Sequence, residues 1–217
     1  MATQHKILEK LWDNIVKQTF TNNGWQYTSG FNYKSLNNHL YTFSIIKHRN
    51  KPNTISANLG VKFIPLDDIL WAILSMENNS KARFSLRVNG SFSLSPKSIK
   101  DWQQEISLED PLEDFAGIFK TIDNLTNQYS EKLVNLDTFL AFVLSMGQPQ
   151  NVKDKNLYLT GLIYKNRLKE AVDFLKENMQ TETGGFYDGS KSFYELALQY
   201  CQNTNSSENS RGIPYDL

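Results

Sequence analysis

From Thr54 to Phe63 the chain alternates apolar and polar residues. Ile55, Ala57, Leu59, Val61 and Phe63 fall on one side, and Thr54, Ser56, Asn58, Gly60 and Lys62 on the other. A repeat of two is the signature of a strand with one buried face. Two further stretches, "WQYTSGFNYK" from Trp25 and "HLYTFSIIKHR" from His39, are rich in aromatic and β-branched residues. The turn "SLNN" separates them, which predicts a strand pair. "ARFSLRVNG" alternates again, Ala82, Phe84, Leu86 and Val88 opposing Arg83, Ser85 and Arg87. Asn89-Gly90 is the dipeptide of a tight hairpin, and "SFSLS" continues the pattern beyond it. Four or five strands with short polar connections predict an antiparallel sheet.

Elsewhere the period is helical. Between Gln4 and Phe20 the residues Leu8, Leu11, Trp12, Ile15 and Thr19 form one stripe, widened by Ile7 and Val16, and Gly24 stops the helix. Pro65 ends the long strand, and Asp67 or Asp68 is placed to cap a short helix, "DDILWAILSM". From Asp110 onward, N-cap Asp110, Pro111 and Glu113 open a long helical stretch with a break near Asn135. "LYLTGLIYKNRLKEAVDFLKENMQ" predicts two antiparallel helices meeting around Asn166-Arg167, with small Gly161 and Ala171 at their approach. Ser192 and Glu195 open a final helix, expected to end near Cys201. The fold class predicted is α+β: an N-terminal helix, the sheet, then C-terminal helices including an αα-hairpin. The organisation expected is an α+β domain over residues 1–147, the hairpin and final helix over 148–201, and a flexible tail over 202–217. The first helix and the one after Asp110 are the natural covers for the apolar sheet face.

Composition narrows the function classes. Hydrophobic residues make up 40% of the 217 residues, and Lys plus Arg equals Asp plus Glu at 23 each. A formally neutral chain carries no bulk attraction for nucleic acid or anionic membranes. The single cysteine excludes an internal disulfide, and the apolar pattern of the opening segment is broken by charges, unlike a signal peptide. The expectation is a cytoplasmic protein with no membrane partner.

Familiar chemistries fail on spacing. His39 and His48 bracket one strand, roughly 30 Å apart, so they cannot share a metal, and His5 has no ligand at a suitable offset. Cys201 sits on an amphipathic helix beside Leu198 and Tyr200, the setting of a buried structural thiol. The acids of "LEDPLED" are explained by the start of a helix, and "TGGFYDGSKS" lacks the spacing of a phosphate-binding loop. No metal or cofactor is implied. What remains is the polar sheet side. Thr42, Ser44, Thr54, Ser56, Asn58, Lys62, Arg83, Ser85 and Arg87 would share it, a hydroxyl-rich face flanked by cations and suited to an acidic ligand or a partner's carboxylates.

Several of these pieces form a series: Gly24-Trp25, Asn58-Leu59-Gly60-Val61, Arg83 to Val88, Trp102 and Leu136-Asp137. Across roughly Lys6 to Val143 the chain resembles a bacterial family, the domain-of-unknown-function family 4304. It departs at Gln26, Tyr27 and Thr28, where that family carries basic residues. The resemblance implies the α+β fold and a bacterial cytoplasmic origin, and by analogy an immunity-type or regulatory role. Together these readings favour a non-catalytic protein that binds another protein. The rival is a small-molecule binding protein or enzyme with a pocket between sheet and C-terminal helices; nucleic-acid binding is the weakest reading.

Overall fold

The computed structural model describes residues 2–48, 50–145, 147–149 and 151–210. They form an α+β fold with a five-stranded antiparallel sheet and divide into two compact units. One comprises Met1–Ile64, Phe84–Ser91 and Pro96–Phe139; the other comprises Pro65–Arg83, Phe92–Ser95 and Leu140–Leu217.

The first unit contains the sheet, in the simple order β1 (Gln26–Thr28), β2 (Phe31–Leu36), β3 (His39–His48), β4 (Lys51–Phe63) and β5 (Lys97–Glu105). The expected strand from Trp25 is in fact two. Ser29 and Gly30 both take positive φ, 44° and 87°, and make a two-residue turn that pairs Thr28 with Phe31. Asn37 and Asn38, at 50° and 61°, do the same between β2 and β3. Asn89-Gly90 makes no such turn: Gly90 has φ −64°, and the preceding residues are helical.

Helices α1 (Ala2–Thr21) and α4 (Pro111–Lys132) cover the apolar side, as the pattern requires. Tyr41, Phe43, Ile55, Leu59 and Val61 are wholly buried there. The stripe of α1 is Trp12, Val16 and Phe20, an i, i+4, i+8 set; Leu11, expected within it, is 45% exposed. The side chains of Ile7 and Leu8 lie outside the described residues. Phe20 stacks on Phe43, and Trp12 meets Phe115 of α4 edge-on. At the rim, Lys47 pairs with Asp13 at 2.7 Å and Lys34 with Asp123 at 3.4 Å. Such exposed pairs are worth little energy but keep their aliphatic stems on the sheet. Asp110 caps α4 through the Glu113 N–H, and Asn135 and Thr138 cap each other's N–H at the start of α5 (Leu136–Val143).

His39 ends this apolar face. It is fully buried, its Nδ1 donates to the Asn37 carbonyl at 2.8 Å, and its ring lies against Phe63 and Phe139. Burial pushes its pKa below the usual 6.5, the bond to Asn37 opposing this weakly. The unfolded chain therefore binds a proton more readily than the native one. Stability is complete above pH 6.5 and declines as pH falls toward the lowered native value. His39→Phe should flatten that decline in a melting-temperature series taken between pH 7 and pH 5. An unchanged slope would mean the loss comes from other groups.

The second unit is helical. Pro65 opens α2 (Pro65–Ile73), whose Leu66, Leu70 and Trp71 are buried. Asp67, expected as a cap, instead lies fully buried and accepts the Leu94 N–H at 2.9 Å, while Trp71 donates to the Phe92 carbonyl. Those bonds draw residues 92–95 into this unit. Helices α6 (Val152–Tyr164) and α7 (Leu168–Asn178) form the predicted hairpin, with Asn166 at φ 56° in the turn. Gly161 meets Leu140. A small ribbon, β6 (Tyr187–Asp188) with β7 (Lys191–Ser192), leads into α8 (Phe193–Ser210), closed by the Ser192–Glu195 capping box. This helix continues nine residues beyond Cys201; residues 211–217 of the expected tail lie outside the described residues.

Candidate functional site

The second face of the sheet is divided between a covered and an open half. In the covered half, Tyr33, Leu40 and Val88 form a small apolar cluster with Phe31 and Ile64. Val88 belongs to α3 (Ser85–Asn89), and the Phe84 ring before it stacks on Tyr33 at 5.9 Å. This corrects the strand expected at 82–88. Alternation puts residues i and i+4 on one side of a strand, but one helical turn does so too. Phe84 and Val88 satisfy both patterns, and the segment folds as a helix lying on the sheet.

Two expected site residues, Arg87 and Ser85, belong to that helix, and Arg83 precedes it. Arg87 is buried, 8% exposed, and donates to the Ile64 carbonyl at 3.1 Å. Ser85 is half-buried at the helix start. Arg83 is exposed but belongs to the other compact unit. Lys62 stands on the expected face, opposite Leu40, yet is wholly buried in the covered half. Arg87 and Lys62, read as flanking the face, are thus withdrawn from its open part.

Ser44, Ser56 and Asn58 do remain together. Register pairs Ser44 with Asn58 and Ile46 with Ser56, then Asn58 with Asp101 and Ser56 with Gln103 on β5. They line a shallow depression of about 320 Å³. Asn58 Nδ2 donates to Asp101 Oδ1 at 2.7 Å and to Ser98 Oγ at 3.0 Å, and Ser98 Oγ donates to Asp101 Oδ2 at 2.5 Å. The β4–β5 register shifts between Leu59 and Gly60, which leaves Ile99 as the extra residue of a bulge. Gly60 permits that arrangement: a Cβ there would stand 2.9 Å from Pro96 Cβ at the entry to β5. His48 Nε2 and Ser56 Oγ share a bond of 2.8 Å. No carboxylate orients the other ring nitrogen among the described residues, so the pair is a cross-strand tie without the third member of a nucleophilic triad.

On the β3 side of the depression stands Ile46, 66% exposed, beyond the last β2–β3 pair and opposite Ser56. Its signal was present in the sequence. Along "YTFSIIKH" the outward series Thr42, Ser44 is broken by an aliphatic residue where a polar one belongs. Asp101 and Gln103 gave no such signal, because "KSIKDWQQE" has few β-branched residues.

A second depression, of about 370 Å³, is lined by Asn53, Glu105, Ile106, Ser107, Leu108 and Glu109. Elsewhere the candidates are committed to the fold. Glu195 is held below the usual carboxylate range by the Ser192 N–H and hydroxyl, and Glu182 pairs with Lys155 at 2.7 Å. Cys201 is buried and its thiol is pushed up to about 11 by that burial, which makes it a poor nucleophile. Among the described residues, no cluster of three His, Cys, Asp or Glu side chains is placed to hold a metal, and no helix is long and apolar enough to cross a membrane. No protein-family model, curated protein or solved structure matches the chain.

Proposed function

We propose that this is a non-catalytic binding protein, of regulatory or immunity type, that contacts another protein through the open half of its sheet. The observation that carries the reading is Ile46. A two-thirds exposed aliphatic side chain beside a shallow polar depression has the form of an interface anchor. Asn58, Asp101 and Ser98 already bond one another and Ser56 bonds His48, so these groups are preorganised and desolvating them costs less than for free side chains. The depression is too open to enclose most of a small ligand's surface, as an enzyme pocket does.

The test is a photo-crosslinking residue in place of Ile46 in the native cell, against the same residue at exposed Val134. A discrete protein adduct is expected from Ile46 and not from Val134. Affinity for the recovered protein should fall by about tenfold or more in Ile46→Glu, as for an anchor that packs against the partner. Equal labelling at both positions would overturn the proposal.

A further inference from the structure

We infer that the protein segment bound on this face is cationic; the inference rests on the binding role proposed above and names its partner's chemistry. Three observations lead to it. The first is the sign of the exposed charge. On the open half, β5 presents Asp101 and Glu105, each paired in register with a neutral residue of β4, Asn58 and Thr54. Glu109 follows in the second depression, beside Glu105. Of the cations expected here, Arg87 and Lys62 are buried and Arg83 belongs to the other compact unit. Lys51 stands at the hairpin end of the ladder, opposite His48.

The second is that two of these carboxylates, Glu105 and Glu109, are not used by the fold as Asp101 and the neighbouring acids are. Asp110 caps α4, and Asp114 accepts the Ser107 N–H at 2.6 Å. The Glu109 N–H donates to the Ser107 hydroxyl, but neither the Glu105 nor the Glu109 carboxylate takes part in a hydrogen bond or ion pair among the described residues. A charged partner therefore meets carboxylates that need not first leave another cation.

The third is continuity. Gln103 lines the first depression and Glu105 the second, and they are consecutive outward residues of one strand. Asp101 and Glu105 stand roughly 13 Å apart at the ordinary strand rise. Ile46 lies at one side of this row, and Leu108, 53% exposed, at its end. The result is a track of separated carboxylates between two aliphatic anchors. It is complementary to a segment carrying lysine or arginine around aliphatic residues, and repels phosphate backbones.

The experiment measures fluorescence anisotropy with two labelled peptides, one of lysine, serine and leucine, the other with glutamate replacing each lysine. The lysine peptide should bind, more weakly as salt rises. Glu105→Lys with Glu109→Lys should weaken it by about tenfold and shift preference to the glutamate peptide. The neutral variant Glu105→Gln with Glu109→Gln should fall between and serves if charge reversal lowers the melting temperature. Binding of neither peptide, equal binding of both, or indifference to the substitutions would overturn the inference. In cells, an Ile46 crosslink that survives the charge reversal would sink the cationic partner and leave the interface standing. Absence of the crosslink from the unaltered chain would sink the interface itself.

Discussion

Phe20→Ala should remove about 3–5 kcal/mol of stability, the cost of deleting a large buried aromatic side chain. Phe20 is wholly buried at the end of α1 and joins three elements. It stacks on Phe43 of the sheet at 4.8 Å and 8°, and meets Trp25 at 5.3 Å and Phe119 of α4 at 5.1 Å, both edge-on. Such ring pairs add to the area buried. The void would be bounded by a strand and two helices whose backbones are fixed, so little of it can collapse. In urea titration the midpoint should drop with the slope unchanged, and the melting temperature should fall by about 10 °C or more. A loss below about 1 kcal/mol would show that the helices close over the gap.

Gly184→Ala is the second large effect and lies in the helical unit. Gly184 has φ 79°, where an L side chain is strained by about 1–2 kcal/mol. It also has no room: a Cβ would stand 2.7 Å from Phe193 Cδ1 and from Tyr194 Cδ1. Neither ring can retreat easily. Both are wholly buried, the Phe193 N–H is tied to the Phe186 carbonyl at 2.8 Å, and Asn156 Nδ2 holds the Gly184 carbonyl at 2.8 Å. Overpacking adds about 1–3 kcal/mol. Gly24→Ala separates the two contributions, because Gly24 has φ 81° and nothing within 4 Å of its Cβ position. It should show the backbone strain without the clash. Equal losses in the two variants would refute the steric argument.

How firmly the residue pattern specifies an element depends on the length of the segment. Over the long strand around Leu59, a repeat of two persists far enough to exclude a helix, and the packing of α1 and α4 on one face follows from it. Over the five residues of α3 both repeats agree, and nothing local decides between them. What decides is tertiary: Tyr33 and Leu40 leave an apolar patch on the otherwise polar face, and Phe84 with Val88 covers it. The site was legible to the same extent. Ser44, Ser56 and Asn58 followed from alternation, whereas β5 lies about forty residues further along the chain, with a composition that favours no strand. Its contribution of carboxylates reverses the charge sign expected for the face. Lys62 shows the complementary limit, since alternation gives the side of a sheet but not whether another element lies on it.

The extra residue at Ile99 reaches further than a local kink. Ser98 and Asp101 are three positions apart, an odd separation that in an unbroken ladder would send their side chains to opposite sides. One inserted residue restores parity, so the hydroxyl and the carboxylate meet above Asn58. The orientation of that acid therefore depends on Ile99 staying out of the ladder: pairing it would turn Asp101 to the other side, whereas deleting it would leave Ser98 and Asp101 two positions apart and facing the same way.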